Sequence, residues 1–305
     1  MRTITTALLQ NTGTIIRAQF NDAYNDIEKK IPVYWPDVAE LVPSNDLKEV
    51  YGRFVGLPAY RKWIGPRVIN RMTAGDYTIP NEKLELTVAV KGDDLRFDKM
   101  GLRNTMAAQQ GTRARQLPDQ LLWPVVNAGF TQDGLDGQPF FDTDHPILSA
   151  DGVSYVTASN YIAGAGPAWF LTAAMPGMKP FILQEVYKPD LVEKFDPTDD
   201  AVFFNDEFIW GSWAMYGAGY FIWPLIQASK AELTPENFNA AYDAFAARIL
   251  DGGVKQSLLP TDLWVPTSLR SAANEVAVAK NLANGATNTN AGLVNVRVVP
   301  YLADA

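Results

Sequence analysis

The chain has no cysteine, which removes disulfides, thiolate metal centres and cysteine nucleophiles from the functions open to it. A reducing cytosol is its natural folding compartment. It has one histidine, His145, so no two histidines can share acid–base work. A Ser-His-Asp site would need His145 as its base, yet there is no Gly-x-Ser-x-Gly elbow and no Gly-x-x-x-x-Gly-Lys-Ser/Thr phosphate loop. Residues 1–10 carry one basic side chain, and their apolar stretch breaks at Gln10 and Asn11, so they do not read as a secretory signal. Internal repeats and low-complexity tracts are also lacking. Positive charge is the minority, with 26 Lys and Arg against 34 Asp and Glu and a net charge of −8. Such a surface tolerates DNA nearby rather than gripping it.

Long uncharged runs are scarce too. One stands out: residues 208–229, between Glu207 and Lys230, long enough to cross a bilayer. Gly211, Gly217, Gly219, Pro224, Ser212 and Gln227 interrupt it, and Trp210, Trp213 and Trp223 are scattered instead of gathered at its ends. It reads better as two buried aromatic strands turning at residues 217–219.

What is present is apolar material, 47% of 305 residues with 11% aromatic, enough for one large domain or two smaller ones. Ile16, Phe20, Ala23, Ile27 and Ile31 form a narrow apolar stripe on a helix between Thr14 and Pro32. From Val33 to Gly75 no period survives, Pro32, Pro36, Pro43, Pro58 and Pro66 punctuate the chain, and the segment reads as an extended arm with no place in a core. Leu84, Leu86, Val88 and Val90 alternate as a half-buried strand, with Tyr77 and Ile79 as a partner strand across Pro80 and Asn81. Residues 98–127 read as a long helix interrupted at Pro118, with Met106, Ala107, Ala114, Leu117, Leu121 and Val125 on one side. Residues 129–152 are loop, followed by a mixed strand region from 181 to 226. Thr234-Pro235-Glu236 is a helix start, with Phe238, Ala241, Tyr242, Phe245 and Ile249 as its core face and Gly252-Gly253 as its end. A strand at 263–265, a second helix from 267 to 284 closed by Gly285, and a last strand at Val294, Val296 and Val298 complete an α+β pattern without βαβ regularity.

Two features invite chemistry. Residues 133–146 gather Asp133, Asp136, Asp142, Asp144 and His145, and Asp142, Asp144 and His145 are the candidate cation ligands or hydrolase site. The EF-hand pattern fails, because Asp144 stands at the twelfth loop position where glutamate is required. The structural reading has Asp and Gly supplying turns, Asp side chains capping backbone donors, and Phe140-Phe141 pinning the loop to a core. The second feature is charge separation. Lys48, Arg53, Arg61, Lys62, Arg67 and Arg71 face only Glu49, a local +5. Glu185, Asp190, Glu193, Asp196, Asp199, Asp200, Asp206 and Glu207 outnumber Lys188 and Lys194, a local −6. The basic residues admit three roles: a solvated face, nucleic-acid binding, or pairing with the acidic segment of another copy, for which Glu193, Asp196, Asp199 and Asp200 are the candidates.

Several separated blocks, in one order, resemble the major head subunits of Mu-like phages: residues 83–95, Pro118-Asp119-Gln120-Leu121, residues 133–146, residues 259–266, residues 284–288 and residues 298–302. The resemblance implies the tailed-phage major capsid fold of the Hong Kong 97 phage type. Its parts would be an amino-terminal arm (1–51), an extended β loop (52–92), a spine helix with peripheral domain (93–167), an axial domain (168–257) and a remaining helix and strands (258–305). It also implies a non-catalytic protein without cofactor or metal, assembling as pentamers and hexamers into an icosahedral shell around double-stranded DNA. The DNA would be contacted without sequence specificity and no membrane would be involved. A separate scaffold and protease protein, a portal protein and a decoration protein are the implied partners, with assembly in the host bacterial cytoplasm and final residence in the virion head.

Overall fold

The computed structural model of the chain describes residues 6–26, 28, 30–53, 73–96, 101–151, 153–173, 177–282 and 285–304. Helix α1 (Thr6–Asn25) leads through a short α2 (Trp35–Val38) into strands β1 (Ala39–Pro43), β2 (Lys48–Arg53), β3 (Thr73–Pro80) and β4 (Glu82–Lys91). A turn of helix, α3 (Gly92–Arg96), precedes the long α4 (Leu102–Ala128). Short strands β5 (His145–Leu148), β6 (Tyr155–Ala158), β7 (Tyr161–Ile162) and β8 (Trp169–Thr172) follow. Two 14-residue strands, β9 (Phe181–Lys194) and β10 (Glu207–Tyr220), flank α5 (Asp200–Asn205). The chain closes with β11 (Ile226–Ser229), α6 (Pro235–Ala247), β12 (Ile249–Leu250), β13 (Val254–Lys255), β14 (Asp262–Val265), α7 (Arg270–Ala277) and β15 (Asn295–Val298).

Two sheets organise these elements. One has the order β1-β9-β10-β4 and the other β15-β14-β8-β11-β7. Helices α1 and α4 pack on the first through Ile16, Phe20, Ala107, Ala114, Leu191, Phe208 and Trp210. Helices α6 and α7 pack on the second through Phe238, Ala241, Ala273, Val276, Leu263 and Val265. A central aromatic core joins them, drawing Trp123 from α4, Phe140 and Phe141 from the following loop, and Tyr216, Tyr220, Trp223 and Trp264 from the sheet region. Each fully buried Phe or Leu contributes roughly 1.5–3 kcal/mol.

Several expectations are corrected. Helix α1 starts earlier than the stripe suggested and stops at Asn25. Asp26 there takes a left-handed conformation (φ 38°), and its carboxylate accepts the backbone N–H groups of Lys30 (3.0 Å) and Ile31 (2.6 Å). Ile31 is past the helix, and Ile27 is outside the described residues. The arm has a core role after all, because Val38 and Ala39 are buried and β1 runs parallel to β9. Strand β3 pairs with β2, while β4 pairs with β10, so the chain changes partner at Asn81 instead of folding back. The Asn81 amide fastens that joint by donating to Ser44 Oγ (2.9 Å) and the Asp46 carbonyl (2.8 Å).

Helix α4 runs unbroken through Pro118 and Pro124. An interior proline costs about 3 kcal/mol, and the buried face of Ala107, Ala114, Leu122, Trp123 and Val126 outweighs it. Met106, expected on that face, is exposed. The uncharged run at 208–229 begins as one continuous strand, β10, with no turn at 217–219. Gly217 serves close approach, since a Cβ there would lie 2.5 Å from the Pro80 carbonyl oxygen. Among the described residues no helix is long and apolar enough to cross a membrane. Helix α6 begins as expected, with Thr234 Oγ1 accepting from Asn237 N at 3.2 Å, but Ile249 has passed into β12. The second carboxyl-terminal helix is shorter than expected. The Asn288 amide donates to the carbonyls of Glu275, Val276 and Ala279, which completes the end of α7.

The expected part boundaries cut across the first sheet. Strands β9 and β10 fall in the stretch assigned to the axial domain, yet they pair with β1 and β4 and carry α4.

Candidate functional site

Within residues 129–160 the backbone is folded by its own turns. Gly134 N donates to Gln138 O (2.7 Å), Phe140 N to Gln132 O and Phe141 N to Gly129 O, and Gly137 occupies the left-handed region that glycine favours (φ 76°). Phe140 stacks on Tyr220 with ring centroids 4.6 Å apart, and Phe141 meets Phe130 at 4.8 Å. The two rings pin the loop to the central core.

His145 is sealed inside. Its Nδ1 lies 2.7 Å from Asp136 Oδ2, with both side chains buried, and its ring stacks on Trp223 at 4.1 Å. Nε2 lies 3.2 Å from Asn160 Oδ1. The Asn160 amide is oriented by its own bonds: Nδ2 donates to the Phe140 and Trp223 carbonyls, and Oδ1 accepts from Asp142 N (2.9 Å). Both ring nitrogens therefore lie within hydrogen-bond distance of an oxygen. The partner of His145 is Asp136, not the neighbouring acids singled out from the sequence. Asp142 Oδ1 accepts from Thr143 N (2.6 Å), and Asp144 is exposed. Among the described residues no group of three His, Asp or Glu side chains converges as a metal-ligand set.

Two further polar side chains lock the junction of the sheets, and no motif or period singles either of them out. Asp119, on α4, accepts from the backbone N–H groups of Tyr34 and Trp35 (2.7 Å for the latter) and from Trp123 Nε1 (3.0 Å). Burial raises its carboxyl above the usual carboxylate range, against those hydrogen bonds. Arg248 is buried, donates to the carbonyls of Pro224 and Ile226 and to Gln227 Oε1, and lies over the Trp223 and Phe245 rings. Burial pushes it down to about 9, and it stays cationic among carbonyls and ring faces.

The acidic segment lies at the far end of the β9 and β10 strands. Glu193 is engaged within the chain by Arg17 of α1 (2.7 Å). Asp196 accepts from Thr198 N (2.8 Å) and Oγ1 (2.6 Å), which holds its carboxyl below the usual range. Asp199 accepts from Asp196 N and lies 3.6 Å from Lys194, while Asp200 is exposed in the first turn of α5. On the basic side, Arg61, Lys62, Arg67 and Arg71 lie outside the described residues, as does the side chain of Arg53.

The comparisons match this geometry along nearly its whole length. The chain superposes on a subunit of the procapsid of bacteriophage JBD30 with a TM-score of 0.85 and 36% identity, covering 98% of this chain and 100% of that one. A subunit of the JBD30 capsid decorated with minor capsid protein trimers gives a TM-score of 0.74 and 29% identity, over 91% and 93%. The major capsid protein of Escherichia phage Mu is 32% identical over 98% of this chain and 99% of its own. The protein is thus a shell-forming structural subunit with the tailed-phage capsid fold of the Hong Kong 97 type. It belongs to the family described as Mu-like prophage major head subunit gpT, whose model matches residues 13–302. It is the major capsid protein of a Mu-like phage, and its place is the virion head.

Proposed function

We propose that copies of this chain assemble as pentamers and hexamers into an icosahedral shell enclosing double-stranded DNA, held by pairing of the basic stretch of one copy with the acidic tip of another, and that the subunit does no chemistry. The observation that carries the pairing is the separation of charge within one chain: a local +5 over residues 48–71, and a local −6 over residues 185–207 on the end of the longest strands. Asp200 is exposed there, and the Asp199 ion pair with Lys194 is long and solvent-facing, so a competing guanidinium exchanges with it at little cost. A non-catalytic role fits a lone histidine whose ring is buried against Asp136, Asn160 and Trp223.

In this reading the sheet β1-β9-β10-β4 with α1 and α4 is the peripheral unit, and the five-stranded sheet with α6 and α7 is the axial one. A separate scaffold and protease protein and a portal protein direct assembly in the bacterial cytoplasm. The outer surface accepts a decoration protein, as the JBD30 capsid does its minor protein trimers. The packaged DNA meets an acidic subunit without base-specific contact. The test is charge reversal, Arg61→Glu with Lys62→Glu and Arg67→Glu. Shell yield measured by sedimentation falls while circular dichroism and melting of the subunit stay at parental values; unchanged assembly removes the pairing.

A further inference from the structure

Val153 is the most exposed large apolar side chain among the described residues, at 82%, and it stands in the turn between β5 and β6. The turn is fastened around it. Ser149 N donates to the Ser154 carbonyl (2.8 Å), and the Asp151 carboxylate accepts from Val153 N (2.8 Å), Ser154 N (2.9 Å) and Ser154 Oγ (2.5 Å). Behind it, Gly252 N donates to the Leu148 carbonyl and the Asp251 carboxylate accepts from Leu148 N. An apolar knob on a turn already ordered costs little further entropy to bury. The five-stranded sheet carries a matching hollow. Strand β15 is its edge. Asn295 N and Val299 N donate to the Thr261 and Val265 carbonyls, so residues of that parity face β14, and Val296 and Val298 turn their N–H and C=O groups away from the sheet. Beside this open edge lies a groove of about 530 Å³ lined by Ala277, Val278, Gly292, Val294, Val296 and Arg297.

We infer that the Val153 turn of one copy seats in the groove beside β15 of the next copy, head to tail around a ring. This rests on the reading that copies assemble as pentamers and hexamers, and it adds a contact between neighbours of one ring. Topology selects the occupant. Strands β15 and β7 end the same sheet, four strand spacings or roughly 19 Å apart, and the β5–β6 hairpin joins that sheet at the β7 end through residues 159 and 160. Knob and hollow therefore belong to opposite ends of one sheet, the placement a head-to-tail contact requires if every copy is to give one and receive one. Like-with-like contacts do worse. Two turns meeting would set Asp151 against Asp151, and two grooves meeting would leave neither filled. Charge agrees with the choice, because Arg297 holds Asp262 at 3.1 Å but Asp37 only at 3.6 Å, with both members of the longer pair half-exposed. A carboxylate arriving with the turn exchanges with Asp37 at little cost. Seating the turn also covers a sheet edge that is otherwise bare.

The absence of native cysteine makes the test direct. Val278, on the groove wall, is itself exposed at 53%. Oxidised shells of a Val153→Cys, Val278→Cys chain should run on a non-reducing gel as a ladder of covalent multimers reaching five and six copies, while shells of either single variant stay monomeric. Shells of the double variant that remain monomeric overturn the contact, as do a ladder that stops at dimers and cross-linking by one single variant alone. A second chain, Val153→Asp, should keep the parental melting curve, because the side chain touches little within its own subunit, yet lose shell yield by sedimentation at least tenfold. Parental yield from that chain also overturns the contact. A parental chain that forms no closed shells removes the assembly reading and this contact with it, whereas parental shells beside an uncross-linked double variant remove this contact alone.

Discussion

A buried hydrogen-bonded pair is hard to remove by halves. Taking away Asp136 leaves the His145 ring between Trp223 and Asn160 without its carboxylate partner, a change that costs roughly 1–3 kcal/mol. Asp136→Ala should lower the subunit's unfolding free energy by that amount in urea titration. Asp142→Ala should cost only about 1 kcal/mol, the worth of one local acceptor, and dialysis against a chelator should leave the melting of both forms unchanged. Asp119 carries a pH signature. Its folded carboxyl is raised above the unfolded value, so the stability it contributes is complete below the unfolded value and is lost as pH rises through the folded one. Asp119→Ala should therefore destabilise the subunit, by roughly 2–3 kcal/mol for three orphaned donors, and flatten that limb of the stability profile measured by urea titration between pH 3 and 7. The turn residues of the 133–146 loop were legible because their contacts are local. Asn160 was not, because every partner of its side chain lies between 15 and 63 residues away.

Elements read well where one face decides and poorly where a second partner intervenes. The α6 cap and the β14 strand were visible because hydroxyl, proline and a run of apolar residues act within a single element. The β3 to β4 joint was misread because a hairpin and a partner change share one sequence signature, and only the bonds of Asn81 to residues 44 and 46 separate them. Gly217 and Gly219 resembled a turn for a similar reason: room for β3 to cross is a tertiary demand. The contact between α1 and α4 gives a sharp prediction. A Cβ at Gly111 would lie 2.3 Å from the Phe20 carbonyl oxygen, so Gly111→Leu should lift α1 from the sheet. Hydrogen exchange should then speed selectively across residues 12–25, while the β14 and β8 amides keep their protection.

At the scale of the molecule, the family was readable before the architecture was. Six separated blocks identified the head subunit, whereas the pairing of β1 and β4 with β9 and β10 was not visible in any of them. The physical cause is that long-range strand partners leave no periodic trace in either strand. The proposed contact between the basic stretch and the acidic tip buries area only on assembly, so the assembled shell should melt well above the free subunit, with a midpoint that rises with concentration. Differential scanning calorimetry of capsomers at two concentrations checks this, and equal midpoints would contradict it.

The parallel pairing of β1 with β9 also sets a clock. Ala39 sits opposite Phe181, so a nascent chain that has finished β1 must wait for about 140 more residues, roughly 7–30 s at ribosomal speeds, before that strand finds its place. Until then neither β1 nor β4 has its partner in the first sheet. A truncated product that stops before β9 therefore has no first sheet to offer a growing shell, and elongation itself keeps incomplete subunits out of the lattice.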